Sequence, residues 1–316
     1  MNAGEHLGRP IVGIVAPSGY AADVSQIDRA AELLQARGCR VRFFFDRSAR
    51  FQRFAATDAQ RLASLHAAAL DSEVDIVLAL RGGYGLSRLL PAIDFPLLVR
   101  SGKRFVGHSD FTALQMGLLA HGGQSFAGPM ICSDFGRDDV SDFTMTHFWK
   151  CLQQPECSIA WARLPGEPAA GDAVLAEGLL WGGNLAMLAH LAGTPWMPTV
   201  TGGILFLEDV NEHPFRIERM LLQLLHAGVL TQQKAILLGD FSGAQTGDYD
   251  NGYSFAAMLA FIRSRVDIPI LTGLRFGHIH DKVTLAIGAQ ACLSVDSQGS
   301  RLRMTGYHLP AVVTKA

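Results

Sequence analysis

The stretch Lys103-Arg104-Phe105-Val106-Gly107-His108-Ser109-Asp110 contains the transition that decides the fold. Its first four residues are typical of a β-strand, Gly107 breaks the strand, and residues 111–119 have the apolar spacing of a helix. Such a tight strand-to-helix turn lifts a serine out of a packed sheet and points it at a ligand. The same residues also fit an ordinary Ser-Asp helix cap, because Phe111 replaces the second glycine of the G-x-S-x-G pattern.

Strands and helices alternate on the amino-terminal side of this turn. The sequence predicts strands over residues 11–15, 40–45 and 75–80, with helices over 21–37 and 57–70 between them. This order predicts an α/β fold with a Rossmann-like, doubly wound parallel sheet. Two loops, Ala16-Pro17-Ser18-Gly19 and Arg81-Gly82-Gly83-Tyr84-Gly85, follow strands of that sheet. Because ligands bind beyond the carboxyl ends of such strands, we expect both loops and the Ser109 turn to meet on one rim.

The composition of residues 155–172 indicates a connection between two domains. Prolines and glycines interrupt every periodic pattern there. We therefore predict an N-terminal α/β domain over residues 1–155, a linker over 156–176 and a C-terminal domain over 177–316. Short alternating segments near 284–287, 291–295 and 301–304 predict antiparallel hairpins, so the second domain is expected to be β-rich.

Charge and composition exclude several classes of protein. The chain has 316 residues, of which 49% are hydrophobic and 18% charged, as in a globular protein with a sizeable core. With a net charge of −2 and no basic run, nucleic acid is not an expected partner. No apolar stretch reaches the length of a membrane span and no signal-peptide pattern stands at the start. Five scattered cysteines predict reduced thiols in the cytoplasm and no metal site.

A serine nucleophile requires a base and an acid that orients the base. Glu208 ends the apolar run 204–208, where a carboxylate needs a partner. Because side chains alternate along a strand, Asp209 is expected to point to the opposite face.

Among eleven histidines, His278 is the first candidate for the base. Gly277 precedes it, and a glycine there permits a close approach of the backbone. His280 is its competitor, two residues away. His108 is expected to point away from Ser109 if the turn is sharp. A structural role remains the alternative for each of these histidines.

Six sequence blocks are distributed over almost the whole chain. They are, in order, Ala16-Pro17-Ser18-Gly19, Arg81-Gly82-Gly83-Tyr84-Gly85, Gly107-His108-Ser109-Asp110, Trp181-Gly182-Gly183-Asn184-Leu185, Glu208-Asp209 with the segment from His213 to Arg219, and Gly277-His278. Together these blocks resemble the LD-carboxypeptidases, the muramoyltetrapeptide carboxypeptidases of murein recycling. The similarity is closest to the Gram-negative cytosolic form.

The resemblance implies a catalytic triad of Ser109, Glu208 and His278 in a metal-independent, cofactor-free serine peptidase. It implies a Rossmann-like N-terminal domain, a β-rich C-terminal domain and a site between them. The implied substrate is a murein tetrapeptide that loses its terminal D-alanine, and the implied protein is a cytoplasmic homodimer. The backbone N–H groups of Asp110 and Gly83 are the expected oxyanion donors, the first because it starts a helix.

A carboxypeptidase must also bind the terminal carboxylate of its substrate. Arg81 is the first candidate for that contact, with Arg275 and Lys282 as alternatives. Two other functions stay open at this point. One is the inactivation of a peptidyl-nucleotide toxin by the same triad. The other is a non-catalytic protein that binds a nucleotide or sugar phosphate, although the glycines of residues 81–85 lack G-x-G-x-x-G spacing and a following Lys-Ser/Thr pair.

Overall fold

The computed structural model describes residues 9–162, 173–243, 246–297 and 299–307. Its first sheet has six strands, in the order β11-β5-β4-β3-β1-β2. They are β1 (Ile11–Val15), β2 (Arg40–Phe43), β3 (Ile76–Ala79), β4 (Arg104–Gly107), β5 (Ser125–Ala127) and β11 (Leu285–Ile287). All neighbours are parallel except β11 and β5. Every residue of β1, β3 and β4 is buried, as expected for a parallel sheet covered on both faces.

Helices separate the strands of this sheet, which confirms the predicted α/β organisation. They are α1 (Ser25–Ala36), α2 (Asp58–Leu70), α3 (Leu86–Leu89), α4 (Phe95–Arg100), α5 (Thr112–Ala120) and α6 (Asp142–Gln153). Local sequence explains where several begin. Thr57 caps α2 in a reciprocal capping box with Gln60, and Ser141 caps α6 through the N–H of Thr144.

The second sheet has seven strands, in the order β10-β9-β8-β7-β12-β13-β6. They are β6 (Glu156–Trp161), β7 (Ala173–Asn184), β8 (Ile204–Glu208), β9 (Ala235–Leu238), β10 (Ile270–Leu271), β12 (Gln290–Val295) and β13 (Ser300–Thr305). The run from β7 to β10 is parallel, and the strands from β7 to β6 are antiparallel. Three helices accompany this sheet, α7 (Leu185–Leu191), α8 (Pro214–His226) and α9 (Phe255–Arg263).

Two sequence predictions about this half of the chain are wrong. Residues 156–161, predicted to be irregular, form β6, because Cys157, Ile159 and Trp161 alternate inward and give the strand a buried face against β13. Residues 173–176, at the other end of the predicted linker, already belong to β7, while its middle, residues 163–172, lies outside the described residues. The segment 284–287 forms no hairpin with its neighbours but pairs as β11 with β5 of the first sheet. The hairpin of β12 and β13 is confirmed.

The loops predicted to share one rim do meet there. The N–H of Gly19 donates to the carbonyl oxygen of Gly82 at 3.3 Å, and the Ser18 hydroxyl donates to the Asp110 carboxylate at 2.5 Å. The carboxyl ends of β1, β3 and β4 therefore form one surface. In the described ranges, no helix combines the length and the apolar character that crossing a bilayer requires.

Candidate active site

Ser109 lies on the sharp turn that the sequence predicts between β4 and α5. Its φ of +62° is a left-handed conformation that residues other than glycine seldom adopt. Two glycines make room for the turn. A Cβ at Gly82 would lie 2.7 Å from Ser109 Oγ, and a Cβ at Gly107 would lie 2.7 Å from the ring of Phe111. The Phe111 side chain is fully buried against Gly107. Phe111, which stands where the G-x-S-x-G pattern has its second glycine, thus packs into the protein interior.

The Asp110 carboxylate ties together the loops around Ser109. It is buried and accepts hydrogen bonds from Ser18 Oγ at 2.5 Å and from the Leu86 N–H at 3.0 Å. Burial raises the pKa of Asp110, while the hydrogen bonds from Ser18 and from the backbone of Leu86 act against that rise. The side chain is therefore engaged in holding the loops. Its backbone N–H lies in the first turn of the short helix Ser109–Phe111, where N–H groups have no partner within the helix.

His278 and Glu208 meet across 70 residues of sequence, with His278 Nδ1 2.8 Å from Glu208 Oε2. Glu208 is fully buried at the end of β8. Gly277 has a φ of +134°, and a Cβ on it would lie 3.2 Å from Glu208 Oε2 and 3.0 Å from Asp240 Cβ. The close backbone approach expected at Gly277 is confirmed. Since Nδ1 is bound to Glu208, Nε2 is the imidazole nitrogen left for proton transfer.

Burial lowers the pKa of His278, but the hydrogen bond that His278 donates to Glu208 and the negative charge of Glu208 outweigh burial. The net result is a pKa above the usual value for histidine. Asn184, which ends β7, donates from Nδ2 to Glu208 Oε1 at 3.2 Å and to Asp209 Oδ1 at 3.0 Å. Asp209 instead accepts the N–H of Ala186 at 2.8 Å, and burial raises its pKa to about 6. The two acids share Asn184, but only Glu208 is hydrogen-bonded to His278 among the described contacts.

One cavity of about 260 Å³ brings the candidate residues together. It is lined by Gln26, Arg81, Gly82, Gly83, Ser109, Met130, Cys132, Ser133 and His278. Gly83 has a φ of +110°, a conformation that glycine tolerates and that leaves its backbone exposed. Arg81 is held at the wall by a hydrogen bond from Nη1 to the carbonyl oxygen of Tyr20 at 3.2 Å. This cavity has parts that acyl transfer needs: a hydroxyl, an imidazole backed by a carboxylate, the exposed backbone of Gly83 and a cation.

Two family models match most of this fold. The model for the LD-carboxypeptidase N-terminal domain matches residues 12–128, and the model for the LD-carboxypeptidase C-terminal domain matches residues 177–293. The chain belongs to the LD-carboxypeptidase family. Of the six sequence blocks that resemble this family, three lie in the first matched region and three in the second.

Relatives of this LD-carboxypeptidase match it over nearly their full length. The crystal structure of muramoyltetrapeptide carboxypeptidase from Oxalobacter formigenes is similar with a TM-score of 0.89 and 52% identity, covering 94% of this chain and 99% of that one. The probable murein peptide carboxypeptidase of Bacillus subtilis is 34% identical, covering 90% of this chain and 88% of the relative. The murein tetrapeptide carboxypeptidase of Pseudomonas aeruginosa is 31% identical, covering 92% and 94%.

The alternative site residues of this LD-carboxypeptidase are engaged elsewhere. Lys282 forms a buried ion pair with Asp134. Arg275 pairs with Asp281 at 3.0 Å and lies over the ring of Phe143 at 4.3 Å. His280 is exposed, and its Nε2 lies 2.6 Å from the carbonyl oxygen of Asp139. None of the three candidates, Lys282, Arg275 and His280, lines the described cavity that holds Ser109.

His108, for which the sequence left a structural role open, packs against the candidate base. Its Nδ1 lies 2.9 Å from the carbonyl oxygen of Gly128, and its ring meets that of His278 edge to face at 5.0 Å between centroids. Burial and then the nearby charge of Lys282 lower the pKa of His108 to about 3. His108 is therefore neutral and packs against His278. Its position directly before Ser109 is the one signal in the sequence for this placement.

Proposed function

We propose that this protein is a serine carboxypeptidase that removes the terminal D-alanine from murein tetrapeptides, at the bond between the L-centre of the diamino acid and D-alanine. The observation that carries the proposal is the shared cavity of Ser109 and His278, with Glu208 bound to the far side of the imidazole. Membership of the LD-carboxypeptidase family and the names of its relatives supply the substrate.

In the proposed reaction, Ser109 Oγ attacks the carbonyl carbon of the scissile bond while His278 Nε2 takes the hydroxyl proton. The carbon–nitrogen bond then breaks, and the imidazolium gives that proton to the leaving amine of D-alanine. A water molecule attacks the acyl-serine ester with His278 again as the base, which frees the tripeptide and restores Ser109. Glu208 holds the imidazole by Nδ1 and stabilises its positive charge in both steps.

We assign the stabilisation of the negative charge on the tetrahedral intermediate to the backbone N–H groups of Asp110 and Gly83. Donors fixed before the reaction stabilise a developing oxyanion without reorganising. Asp110 suits this role because its side chain is already bound to Ser18 and Leu86. Gly83 suits it because its backbone is exposed on the cavity wall. In this scheme the nucleophile comes from the N-terminal domain, and Glu208 and His278 come from the C-terminal domain.

The direct test is incubation with murein tetrapeptide and measurement of released D-alanine. Ser109→Ala is expected to remain folded and to lose turnover by roughly 10⁴-fold or more, the usual effect of removing a triad nucleophile. Full activity in a folded Ser109→Ala protein would rule out the mechanism. A peptidyl-nucleotide substrate is assayed in parallel, and hydrolysis of that compound in preference to tetrapeptide would replace the proposed substrate while retaining the triad.

The remaining parts of the proposal are a homodimer, a cytoplasmic location and a role in murein recycling, which the family resemblance implies. Sedimentation analysis of the purified chain tests the dimer, and cell fractionation tests the location. Accumulation of tetrapeptide in cells that lack the protein is the expected sign of a role in recycling.

A further inference from the structure

Arg104, the first residue of β4, is a buried cation that the proposed reaction does not use. Only 3% of its surface is exposed. Its Nε and Nη1 are shielded from solvent and have no hydrogen-bond partner among the described residues. In the described part of the chain, no carboxylate oxygen lies within 4.0 Å of an Arg104 nitrogen, the distance that defines an ion pair.

The guanidinium of Arg104 stays charged although it is buried. Desolvation lowers the pKa of Arg104 to about 10, opposed by the more distant charge of Asp75. That leaves the guanidinium protonated at neutral pH. Asp75 does not neutralise it by contact, because its Oδ2 accepts the N–H of Ile11 at 2.8 Å. A buried charge without a partner is unfavourable, so the position calls for an anion.

Arg104 lines a cavity of about 560 Å³ at the amino ends of β4 and β5. This is the edge of the first sheet opposite to the Ser109 turn, so the cavity is separate from the candidate active site. Most of its wall is apolar and comes from α4, α5, β5 and β7, through Leu98, Val99, Leu118, Leu119, Phe126 and Leu179. Lys103 lies at the same wall, with its Nζ bound to the carbonyl oxygen of Val74 at 2.5 Å.

We propose that this cavity binds a small amphiphilic anion, whose acidic head group pairs with Arg104 and whose apolar body fills the space between α4 and α5. A guanidinium pairs with carboxylates and phosphates alike. The apolar wall selects a ligand with a hydrocarbon body over a bare inorganic ion. The inference does not depend on the proposed peptidase activity, since none of its residues belongs to the site around Ser109.

The test is a calorimetric titration of the full chain with octanoate, with octanol and inorganic phosphate as matched probes. Octanoate is expected to bind one to one. Octanol lacks the charge and phosphate lacks the apolar body, so each is expected to bind at least tenfold more weakly. Arg104→Met keeps the length of the side chain and removes its charge, and is expected to weaken octanoate binding at least tenfold. Arg100→Met, at an exposed position at the end of α4 that does not line the cavity, is the control and should bind as the wild type does.

Thermal denaturation separates loss of binding from loss of fold. Saturating octanoate should raise the melting temperature of the wild type and of Arg100→Met but not that of Arg104→Met. Without ligand, Arg104→Met should be at least as stable as the wild type, because a buried unpaired charge has been removed. If Arg104→Met does not fold, Arg104→Gln replaces it, because glutamine is polar but carries no charge. Undiminished octanoate binding by Arg104→Gln would then overturn the proposal.

Three further results would also overturn the proposal. One is a wild-type protein that does not bind octanoate, and another is equal binding by a folded Arg104→Met. The third is a change in subunit number on sedimentation of Arg104→Met, which would mean that a second copy of the chain covers the cavity.

Discussion

In the proposed reaction, His278 accepts the proton of Ser109 only while its imidazole is neutral. The pKa of His278 lies above its ordinary value because the charge of Glu208 outweighs the effect of burial. kcat/KM is therefore expected to rise with pH as His278 loses its proton, with an inflection above the usual 6.5 of histidine. Glu208→Gln removes the charge and leaves the burial, so the inflection should move to lower pH.

The same Glu208→Gln variant should lose activity on the order of 10⁴-fold, as when the acid of a triad is neutralised. The pH profile of tetrapeptide hydrolysis measures both effects. Asp209→Asn is the comparison, since Asp209 is bound to Asn184 and Ala186 and has no hydrogen bond to His278 among the described contacts. The charge of Asp209 also raises the pKa of His278, but less than Glu208 does, so the inflection should move less in this variant. A Glu208→Gln inflection at the wild-type pH would assign the titration to another group.

Arg81 is the one candidate for the substrate carboxylate that lies on the wall of the cavity with Ser109. Arg81→Met is expected to reduce kcat/KM for the free-acid tetrapeptide by roughly 10-fold to 10²-fold, the loss of one charge-assisted contact. A C-terminally amidated peptide, already a poor substrate, should lose much less. Equal losses on both substrates would show that Arg81 shapes the loop and does not bind the carboxylate.

At the scale of elements, the turn between β4 and α5 keeps its shape because the residue that packs against it from the loop after β3 is Gly82, which has no side chain. A Cβ on Gly82 would lie 2.7 Å from both Cβ and Oγ of Ser109, a distance that real Cβ contacts do not reach. Either the serine or residues 81–83 must then move. The position of Ser109 is therefore set jointly by the loops that follow β3 and β4.

Gly82→Ala is accordingly expected to reduce kcat by about 10²-fold, since a displacement near 1 Å of a reacting group costs that much. Steady-state hydrolysis of tetrapeptide measures the loss, and circular dichroism confirms the fold. Gly38→Ala is the matched control. Gly38 has a φ of +84° and open space around its Cβ position, so this change should cost about 1 kcal/mol of stability and leave kcat unchanged. Wild-type kcat in Gly82→Ala would mean that the loop adjusts without moving Ser109.

At the scale of the whole molecule, a buried ion pair joins segments that are 148 residues apart. Lys282 Nζ contacts Asp134 Oδ1, and both side chains are almost fully buried. Asp134 also accepts the N–H of Met130 at 2.8 Å and the hydroxyl of Ser133 at 2.6 Å. Burial raises the pKa of Asp134, but the charge of Lys282 more than offsets this and holds the pKa below its ordinary value. The charges of both residues act on His108, whose ring packs against that of His278.

Lys282→Met should lower the free energy of unfolding by about 3 kcal/mol or more, because it leaves a buried carboxylate without its counter-charge. Asp134→Leu combined with Lys282→Met should regain most of that loss, since an apolar pair replaces the ion pair. Urea denaturation of the wild type, the single variant and the double variant measures the difference. A double variant as unstable as the single one would show that Asp134 acts through its hydrogen bonds to Met130 and Ser133.

Local sequence patterns predict much of the fold and the most specific parts of the site. The parallel first sheet follows from strands and helices that alternate at their own periods. The turn at Ser109 follows from a glycine between a strand and a helix, and the need for glycine at 277 follows from its place before a candidate base. The pattern failed at β6, where the prolines and glycines of residues 155–172 hid the inward alternation of a short edge strand.

Only the tertiary structure decided which residues meet. The sequence offered two acids and two histidines, and the fold brought Glu208 to His278 across 70 positions. It also paired β11 with the first sheet and placed His108 and Asn184 around the candidate triad. The physical reason is the range of the interactions. Strand, helix and turn signals arise between residues a few positions apart, whereas the burial and charge that set the proton affinity of His278 arise between segments that only folding brings into contact.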